Sequence, residues 1–300
     1  MLDIKFIREH AEAVKQNVIN KNESADIDAL LKLDEQRRSL IQEVEVLKSK
    51  RNTVSELIAS LKKNKEDATS HIEEMRAVSD TIKSLDESLR PIEEHMEEIV
   101  LRIPNMVHTS VPIGKSAAEN IEIRRFGDTI EQGFRKNHLE IAKHLNILDF
   151  ERGAKVSGSG FGFYVGKGAS LERALINFMI DVHLEKHGYT EMMPPFLANY
   201  ASMRGTGQLP KMEEDMYAMP LDGLYAIPTA EVPITNFHRD EVLPNDQLPV
   251  KYCGYSACFR REAGSYGKDT KGFLRVHQFN KVELVKFVKP ETSYDELELL

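Results

Sequence analysis

The sequence predicts an α+β chain, in which an N-terminal antiparallel helical hairpin of coiled-coil type precedes an antiparallel β-sheet domain with flanking helices. Two observations carry this. Between Leu30 and Ile103 apolar residues recur at steps of three and four, the helical period. Between Tyr252 and Phe287 two apolar, strand-like segments, residues 252–259 and 274–287, enclose a loop carrying Ser265, Gly267, Lys268, Lys271 and Gly272, which reads as a long-looped antiparallel hairpin.

In chain order, Leu2, Ile4, Ile7, Ala11, Val14 and Val18 describe one short amphipathic helix capped by Asp3, expected to pack on the base of the arm. The first arm follows the seam Leu30, Leu33, Arg37, Leu40, Val44, Leu47, Arg51, Val54, Ile58 and Leu61. After a polar turn over residues 62–70, the second follows His71, Met75, Val78, Ile82, Leu85, Leu89, Ile92, Met96, Ile99 and Ile103. Each arm has about thirty residues, so the hairpin spans roughly 50 Å. Pro91 lacks an amide donor and crowds the preceding turn, which predicts a kink or restart near Leu89 and Arg90.

Charge is uneven along this arm. Lys48, Lys50, Arg51, Lys62, Lys63 and Lys65 crowd its distal end, whereas the second helix is rich in glutamate. Such a basic tip suits an RNA backbone; equally, the charges can keep a coiled coil solvated and in register, and charge pattern alone weighs slightly towards the second reading.

Residues 104–137 form a linker in which the pattern decays into Pro, Gly and Ser with a strand or two, and the sheet domain occupies residues 138–300. The glycine-rich stretch 156–168, with Phe161, Phe163 and Tyr164, suggests a strand and matches neither a Walker loop nor a Rossmann turn. Residues 173–186 carry an apolar face of Leu175, Phe178, Met179, Val182 and Leu184 and stop at His187-Gly188, as an amphipathic helix does. A strand through Tyr189, Met192 and Met193 then runs into Pro194-Pro195, and residues 294–300 open a last helix.

Composition limits the function. The 300 residues suffice for more than one domain, and the formal net charge of −8 opposes indiscriminate nucleic-acid binding. Cys253 and Cys258 share one predicted strand and form neither a disulfide framework nor a zinc knuckle, so they are read as reduced core or near-site residues. No metal-ligand set is predicted. No apolar run reaches membrane-spanning length and no signal-peptide pattern opens the chain, which predicts a cytoplasmic protein without a membrane partner.

Chemistry concentrates in the hairpin. Residues four apart on a strand share a face, so Arg275, Phe279 and Glu283 put a cation, a ring and a carboxylate together, with Arg260 and Glu262 at the end of the facing strand. An Arg fork suits phosphate and an aromatic face suits a base, as in a nucleotide site; a surface hairpin with a salt-bridged polar face is the plainer alternative.

These residues also carry a resemblance. Phe-Arg-Arg-Glu at 259–262, Arg-Glu-Ala-Gly-Ser at 261–265 and Val-His-Gln-Phe at 276–279 resemble motif 2 of the class II aminoacyl-tRNA synthetases, and within them the bacterial-type seryl-tRNA synthetases. The opening Leu-Asp-Ile-Lys-Phe-Ile-Arg, Ile-Pro-Asn at 103–105, Thr-Gly-Gln-Leu-Pro-Lys at 206–211 and Pro-Thr-Ala-Glu-Val-Pro at 228–233 are further matches. The helix and strand ending in Pro194-Pro195 resemble motif 1, which in that class forms the dimer interface.

The resemblance implies ATP-dependent activation of L-serine and transfer of the seryl group to the terminal ribose of tRNA(Ser), and in the family also of tRNA(Sec), by a homodimer using ATP and Mg2+. It implies that Arg260, Glu262 and Arg275 are catalytic and that Arg260, Arg261, Glu262, Arg275, Val276, His277, Gln278 and Phe279 bind ATP. Arg260 would hold the α-phosphate and the serine carboxylate, Glu262 the adenine amino group, Arg275 the γ-phosphate, and Phe279 would stack on adenine. Thr229, Ala230, Glu231, Arg260 and Glu283 would hold serine, with Glu283 on its hydroxyl. The basic arm residues, with Lys268 and Lys271 in the hairpin loop, would contact tRNA. Nothing after Glu283 resembles the glycine-rich, Arg-bearing motif 3, so the resemblance implies a partial catalytic domain that is inactive alone. The alternative, for a chain that truly stops at Leu300, is a non-catalytic tRNA-binding or dimerising partner.

Overall fold

A computed structural model describes residues 2–127, 136–262 and 272–300. The chain divides into two compact units, Met1–Asp128 and Thr129–Leu300, and the division falls inside the stretch expected to be a linker.

In the first unit the single N-terminal helix expected from the sequence is two, α1 (Ile4–Glu9) and α2 (Ala11–Asn20). Asp3 caps α1 as expected, accepting from the amides of Lys5 at 2.7 Å and Phe6 at 3.3 Å. His10 breaks the run with φ −128° and ψ 36°, its ring packed 4.7 Å from Phe6. The bend turns Ile7, Val14 and Val18 into one core with Ile27, Leu30, Met96 and Ile103.

Helix α3 (Ile27–Lys63) is capped by Asp26, which accepts from the Ala29 amide at 2.9 Å, and antiparallel α4 (Thr69–Val100) returns beside it. At about 1.5 Å per residue, the 37 residues of α3 run for roughly 55 Å. The two seams meet as the period requires: Val44, Met75, Val78 and Ile82 are buried together, flanked by Leu47, Val54, Ile58 and Leu85. Arg37, which interrupts the apolar seam, pairs across it with Glu93 at 3.0 Å. α4 does not restart at Pro91. The proline is exposed, on the side of the helix away from the buried seam, and the buried residues before and after it stay in phase.

The arm base contains one buried charge. Asp34 is 1% exposed, and its Oδ2 accepts from Arg8 at 2.8 Å and Arg38 at 3.0 Å, whereas Oδ1 has no donor among the described residues. Buried Asn17 fastens the outgoing chain, donating to the carbonyls of Pro104 and Asn105 and accepting from the Val107 amide at 2.9 Å. The strand or two expected in the linker do not form among the described residues. Only a 3-10 turn, Ala117–Glu119, appears there, and Val111, Ile113, Ile121 and Ile123 are exposed without a neighbouring strand.

The second unit opens with α5 (His138–Leu145), whose first turn is closed by a reciprocal capping box between Asn137 and Glu140. β1 (Leu148–Asp149), α6 (Phe150–Ser157) and β2 (Phe163–Tyr164) follow, with β1 antiparallel to β2. The strand expected over residues 156–168 therefore shrinks to two residues, because α6 takes its start and Gly158 and Gly160, at φ 96° and 81°, turn the chain. α7 (Lys167–His187) begins earlier than its sequence pattern and ends as expected at Gly188, at φ 67°. β3 (Thr190–Met192), β4 (Leu197–Asn199), α8 (Tyr200–Gly205), β5 (Tyr217–Met219), β6 (Leu224–Ala226), α9 (Glu231–Asn236), β7 (Val250–Phe259), β8 (Gln278–Phe287) and α10 (Ser293–Glu298) complete the unit.

Among the described residues, beside the β1–β2 pair, the unit holds two three-stranded sheets, ordered β3-β7-β8 and β4-β6-β5. The first is mixed rather than wholly antiparallel, since β3 runs parallel to β7. A parallel neighbour needs a long crossover, and residues 193–249, which carry the second sheet, provide it. β7 and β8 pair antiparallel with Phe259 opposite Gln278, Cys258 opposite Phe279 and Gly254 opposite Glu283. Cys253 and Cys258 are free and buried, as read from the sequence. Behind the second sheet Met203, Leu209, Met216, Ile227 and Val232 form a compact core. α10 is held to β8 by Lys286 and Glu296, which pair at 2.9 Å.

Candidate active site

The end of the β7–β8 hairpin is anchored on both sides before any functional side chain is placed. The Phe259 amide donates to the Ile227 carbonyl at 2.9 Å, the Arg260 amide to the His277 carbonyl at 3.0 Å, and the His277 amide to the Gly160 carbonyl at 2.9 Å. Gly160 permits that approach, because a Cβ there would sit 2.2 Å from the His277 ring. On the outgoing side Phe273 stacks on Tyr164 at 5.5 Å and meets Phe150 edge-on at 5.1 Å.

One correction concerns how the cation, ring and carboxylate come together. β8 begins at Gln278, not at residue 274, so Arg275 precedes the strand and shares no strand face with Phe279 and Glu283. Leu274 to His277 instead approach the strand from the Gly272–Phe273 turn, and Arg275 reaches the site by pairing with Glu262 at 2.9 Å. The face of β8 turned to the site carries Phe279, Lys281 and Glu283.

Two chambers meet at this point. The larger, of about 610 Å³, is lined by Phe273, Leu274, Val276 and Phe279 together with Arg260, Glu262 and Arg275. The smaller, of about 370 Å³, shares those last three residues and adds Thr229, Glu231 and Lys281 with Asp215, Met216 and Pro228. Arg260 is the hinge between them: its Nε donates to the Pro228 carbonyl at 3.3 Å and its guanidinium lies over the Phe279 ring, 5.1 Å from the centroid. A site with an aromatic wall and two guanidinium groups on one side, and a carboxylate and a hydroxyl on the other, can take a nucleotide phosphate and a small zwitterion side by side.

The second chamber is electrostatically tight. Buried Thr229 donates its hydroxyl proton to Glu283 Oε2 at 2.8 Å, while its oxygen accepts from Lys281 Nζ at 2.7 Å and from the Glu231 amide at 3.2 Å. Lys281 also forms an ion pair with Glu283. Burial, helped by the neighbouring Glu283 carboxylate, pushes the Glu231 carboxyl above the usual range, with Lys281 opposing. Glu231 opens α9, so the stretch between Pro228 and Pro233 passes from a bend at Thr229 and a turn at Ala230 into the first turn of a helix.

Of the residues expected to bind ATP, Arg260, Glu262, Arg275, Val276 and Phe279 line the larger chamber. Arg261 does not: its Nε donates to the Met216 carbonyl at 2.9 Å and its guanidinium lies on the Tyr217 ring, at 4.8 Å. His277 braces the Arg260 carbonyl through Nδ1 at 2.9 Å, and Gln278 starts β8; neither lines a chamber. Of the residues expected to hold serine, Thr229, Glu231 and Arg260 line the smaller chamber, Ala230 is fully buried, and Glu283 sits behind Lys281. Lys281 was missed, although its place two residues before Glu283 puts both on one strand face.

On the arm, Lys48, Lys62, Lys63 and Lys65 are exposed, the last three around the reversal between α3 and α4, whereas Lys50 pairs with Glu74 at 2.6 Å and Arg51 is half-buried. Lys268 and Lys271 lie outside the described residues. Among the described residues no cluster of three or more His, Cys, Asp or Glu could hold a metal, and no helix is long and apolar enough to cross a membrane.

Comparison with known proteins bears on both units. Residues 1–107 match the seryl-tRNA synthetase N-terminal domain, and residues 217–300 the tRNA synthetase class II core domain (G, H, P, S and T). The whole chain is 57% identical to a serine–tRNA ligase of Chloroherpeton thalassium, covering 72% of it, and 55% identical to one of Carboxydothermus hydrogenoformans, covering 71%. Among solved structures it resembles seryl-tRNA synthetase from Pyrococcus horikoshii complexed with ATP, at TM-score 0.85 and 34% identity. It also resembles cytoplasmic serine–tRNA ligase from Naegleria fowleri in complex with AMP, at TM-score 0.79 and 30% identity. All of this chain is covered in both, together with 72% and 70% of the respective partner.

Proposed function

The chain belongs to the seryl-tRNA synthetase family, and on that premise we propose that the two chambers at the β7–β8 hairpin are its nucleotide and amino-acid sites in the ATP-dependent ligation of serine to tRNA. The observation that carries the proposal is the position of Arg260, which lines both chambers and so can touch the phosphate and the carboxylate that must react.

In the first step the serine carboxylate attacks the α-phosphorus and pyrophosphate leaves; in the second the terminal ribose hydroxyl of the tRNA attacks the seryl carbonyl and AMP leaves. Neither step needs a protein nucleophile, so the residues act by placing and neutralising charge. Arg260 holds the carboxylate beside the α-phosphate and offsets the charge that gathers there. Phe279 offers its face to adenine, which requires the guanidinium of Arg260 to leave the ring for the phosphate. Glu262 accepts from the adenine amino group, releasing Arg275 to the γ-phosphate. Glu231 pairs with the serine ammonium. Mg2+ brought in with ATP would offset phosphate charge beside Arg260 and Arg275.

The exposed lysines at the arm reversal contact the tRNA backbone. Homodimerisation uses α7, whose Phe178 is 65% exposed beside the exposed Leu175 and Met179. A cytoplasmic location accords with both roles.

Calorimetric titration of the chain with MgATP and with L-serine tests the assignment. Saturable binding of each is expected, and Arg260→Ala should weaken both, by about tenfold or more. If Arg260→Ala weakens neither ligand, the chambers are not the site.

A further inference from the structure

The smaller chamber contains a charge that the expected serine contacts do not account for. Its charged groups are Glu231 from α9, Lys281 and, behind it, Glu283 from β8, Arg260 and Glu262 after β7, Arg275 before β8, and Asp215 ahead of β5. Glu262 and Arg275 satisfy each other at 2.9 Å, and Lys281 cancels Glu283. Asp215 is engaged elsewhere, so among the described residues two opposite charges are left to meet a ligand, the guanidinium of Arg260 and the carboxylate of Glu231. That is the pattern of a zwitterion.

The same lysine also fixes the hydrogen bonding. A hydroxyl has one proton and two lone pairs. At Thr229 the proton goes to Glu283, and the lone pairs take Lys281 Nζ and the Glu231 amide. The threonine hydroxyl is therefore fully committed, and among the described residues of the chamber the Glu231 carboxylate is left to accept from a ligand ammonium. Lys281, rather than Glu283, also forms the chamber wall.

We propose that Lys281 is a specificity-determining residue: by neutralising Glu283 and locking the Thr229 hydroxyl, it sets the chamber to accept a zwitterionic amino acid and to disfavour the corresponding monocation. This rests on the assignment of the smaller chamber as the amino-acid site. Without Lys281 the same walls carry one extra negative charge, which suits a ligand whose carboxylate has been replaced by a neutral amide.

The test compares L-serine with L-serinamide, titrated by calorimetry into the wild-type chain and into Lys281→Met and Lys281→Arg at a pH where both amines are protonated. The wild type should prefer serine. In Lys281→Met the preference should move by about tenfold or more towards serinamide, as expected for loss of a charged partner, and Lys281→Arg should restore it. A purely structural role would weaken both ligands alike. If serine binds the wild type but the preference is unchanged in a folded Lys281→Met, the inference is wrong while the site assignment stands. If the wild type binds neither ligand, the site assignment fails and takes the selectivity with it. The electrostatic part is read without any ligand: 13C-carboxylate NMR, with Glu231→Gln for assignment, should show the Glu231 titration midpoint higher in Lys281→Met, and an unmoved midpoint overturns the claim that Lys281 sets the charge of the chamber.

Discussion

Asp34→Ala probes the buried carboxylate at the arm base, where opposing effects can be weighed. The substitution removes two charge-assisted hydrogen bonds, from Arg8 and Arg38, each of about 1.5–3 kcal/mol when well shielded. Their side chains are 36% and 52% exposed, so water recovers much of that loss, and the two bonds together come to about 2–3 kcal/mol. In the other direction, the substitution removes Oδ1, a buried acceptor without a donor among the described residues, whose desolvation costs about 1 kcal/mol or more. The net expectation is a loss of about 1–2 kcal/mol, with lost pairing outweighing relieved desolvation. Because the chain has two units, a global melt mixes their transitions, and native-state hydrogen exchange on peptides spanning residues 27–40 reads the effect locally. Arg38→Ala, at the more exposed partner, should cost less than about 1 kcal/mol. Unchanged or increased protection in Asp34→Ala would refute the reasoning, because the buried pair would then contribute nothing that its own desolvation does not cancel.

Four further outcomes follow from the sites. Replacing Lys62, Lys63 and Lys65 together by Ala should weaken serine tRNA binding and lower the slope of log affinity against log salt by up to about three; an unchanged slope would mean that these lysines only solvate the arm end. Phe279→Ala should weaken ATP by about 1–3 kcal/mol while leaving inorganic pyrophosphate binding nearly unaltered, and equal losses for both would argue against stacking on the base. The raised pKa of Glu231 predicts that serine binding strengthens as pH rises through that midpoint, because the ammonium needs the ionised carboxylate; for the unliganded fold the sign reverses, with Glu231 favouring the folded state below its unfolded pKa and losing that contribution as pH rises through the folded one, so Glu231→Gln should flatten both profiles. Phe178→Asp on α7 should turn a sedimenting dimer into a monomer, and a dimer that survives it uses another surface.

What could be read from the residues depended on whether a local rule sufficed. The arm was legible because a heptad seam is a local pattern with a single packing solution, and Val44, Val78 and Ile82 meet where the period puts them. The kinship of Phe259, Arg260, Glu262 and Phe279 was legible as well, since their residue types and spacing survive in sequence. The break at His10 was not, because apolar residues on both sides keep helical spacing while the backbone turns. Nor was the parallel pairing of β3, which depends on a partner some sixty residues away. Arg275 was placed on a strand because period-two reasoning was extended through Leu274 to His277, where hydrogen bonds to Gly160 and Arg260 hold the chain instead. Arg261 was grouped with the nucleotide residues through the resemblance, which does not show that its guanidinium lies on the Tyr217 ring.

The order β3-β7-β8 leaves β8 with a neighbour on one side only among the described residues. Along this ten-residue strand, the amide and carbonyl groups of alternate residues point away from β7 and form a template onto which an extended chain could be added, including a second copy of β8. Two modes of self-association thus have to be told apart. Pairing at β8 would add intermolecular β-sheet signal in the infrared and would respond to proline placed along its open edge. Pairing at α7 would leave the sheet spectrum unchanged and respond to Phe178. A molecular mass alone would not distinguish a functional dimer from the first step of aggregation.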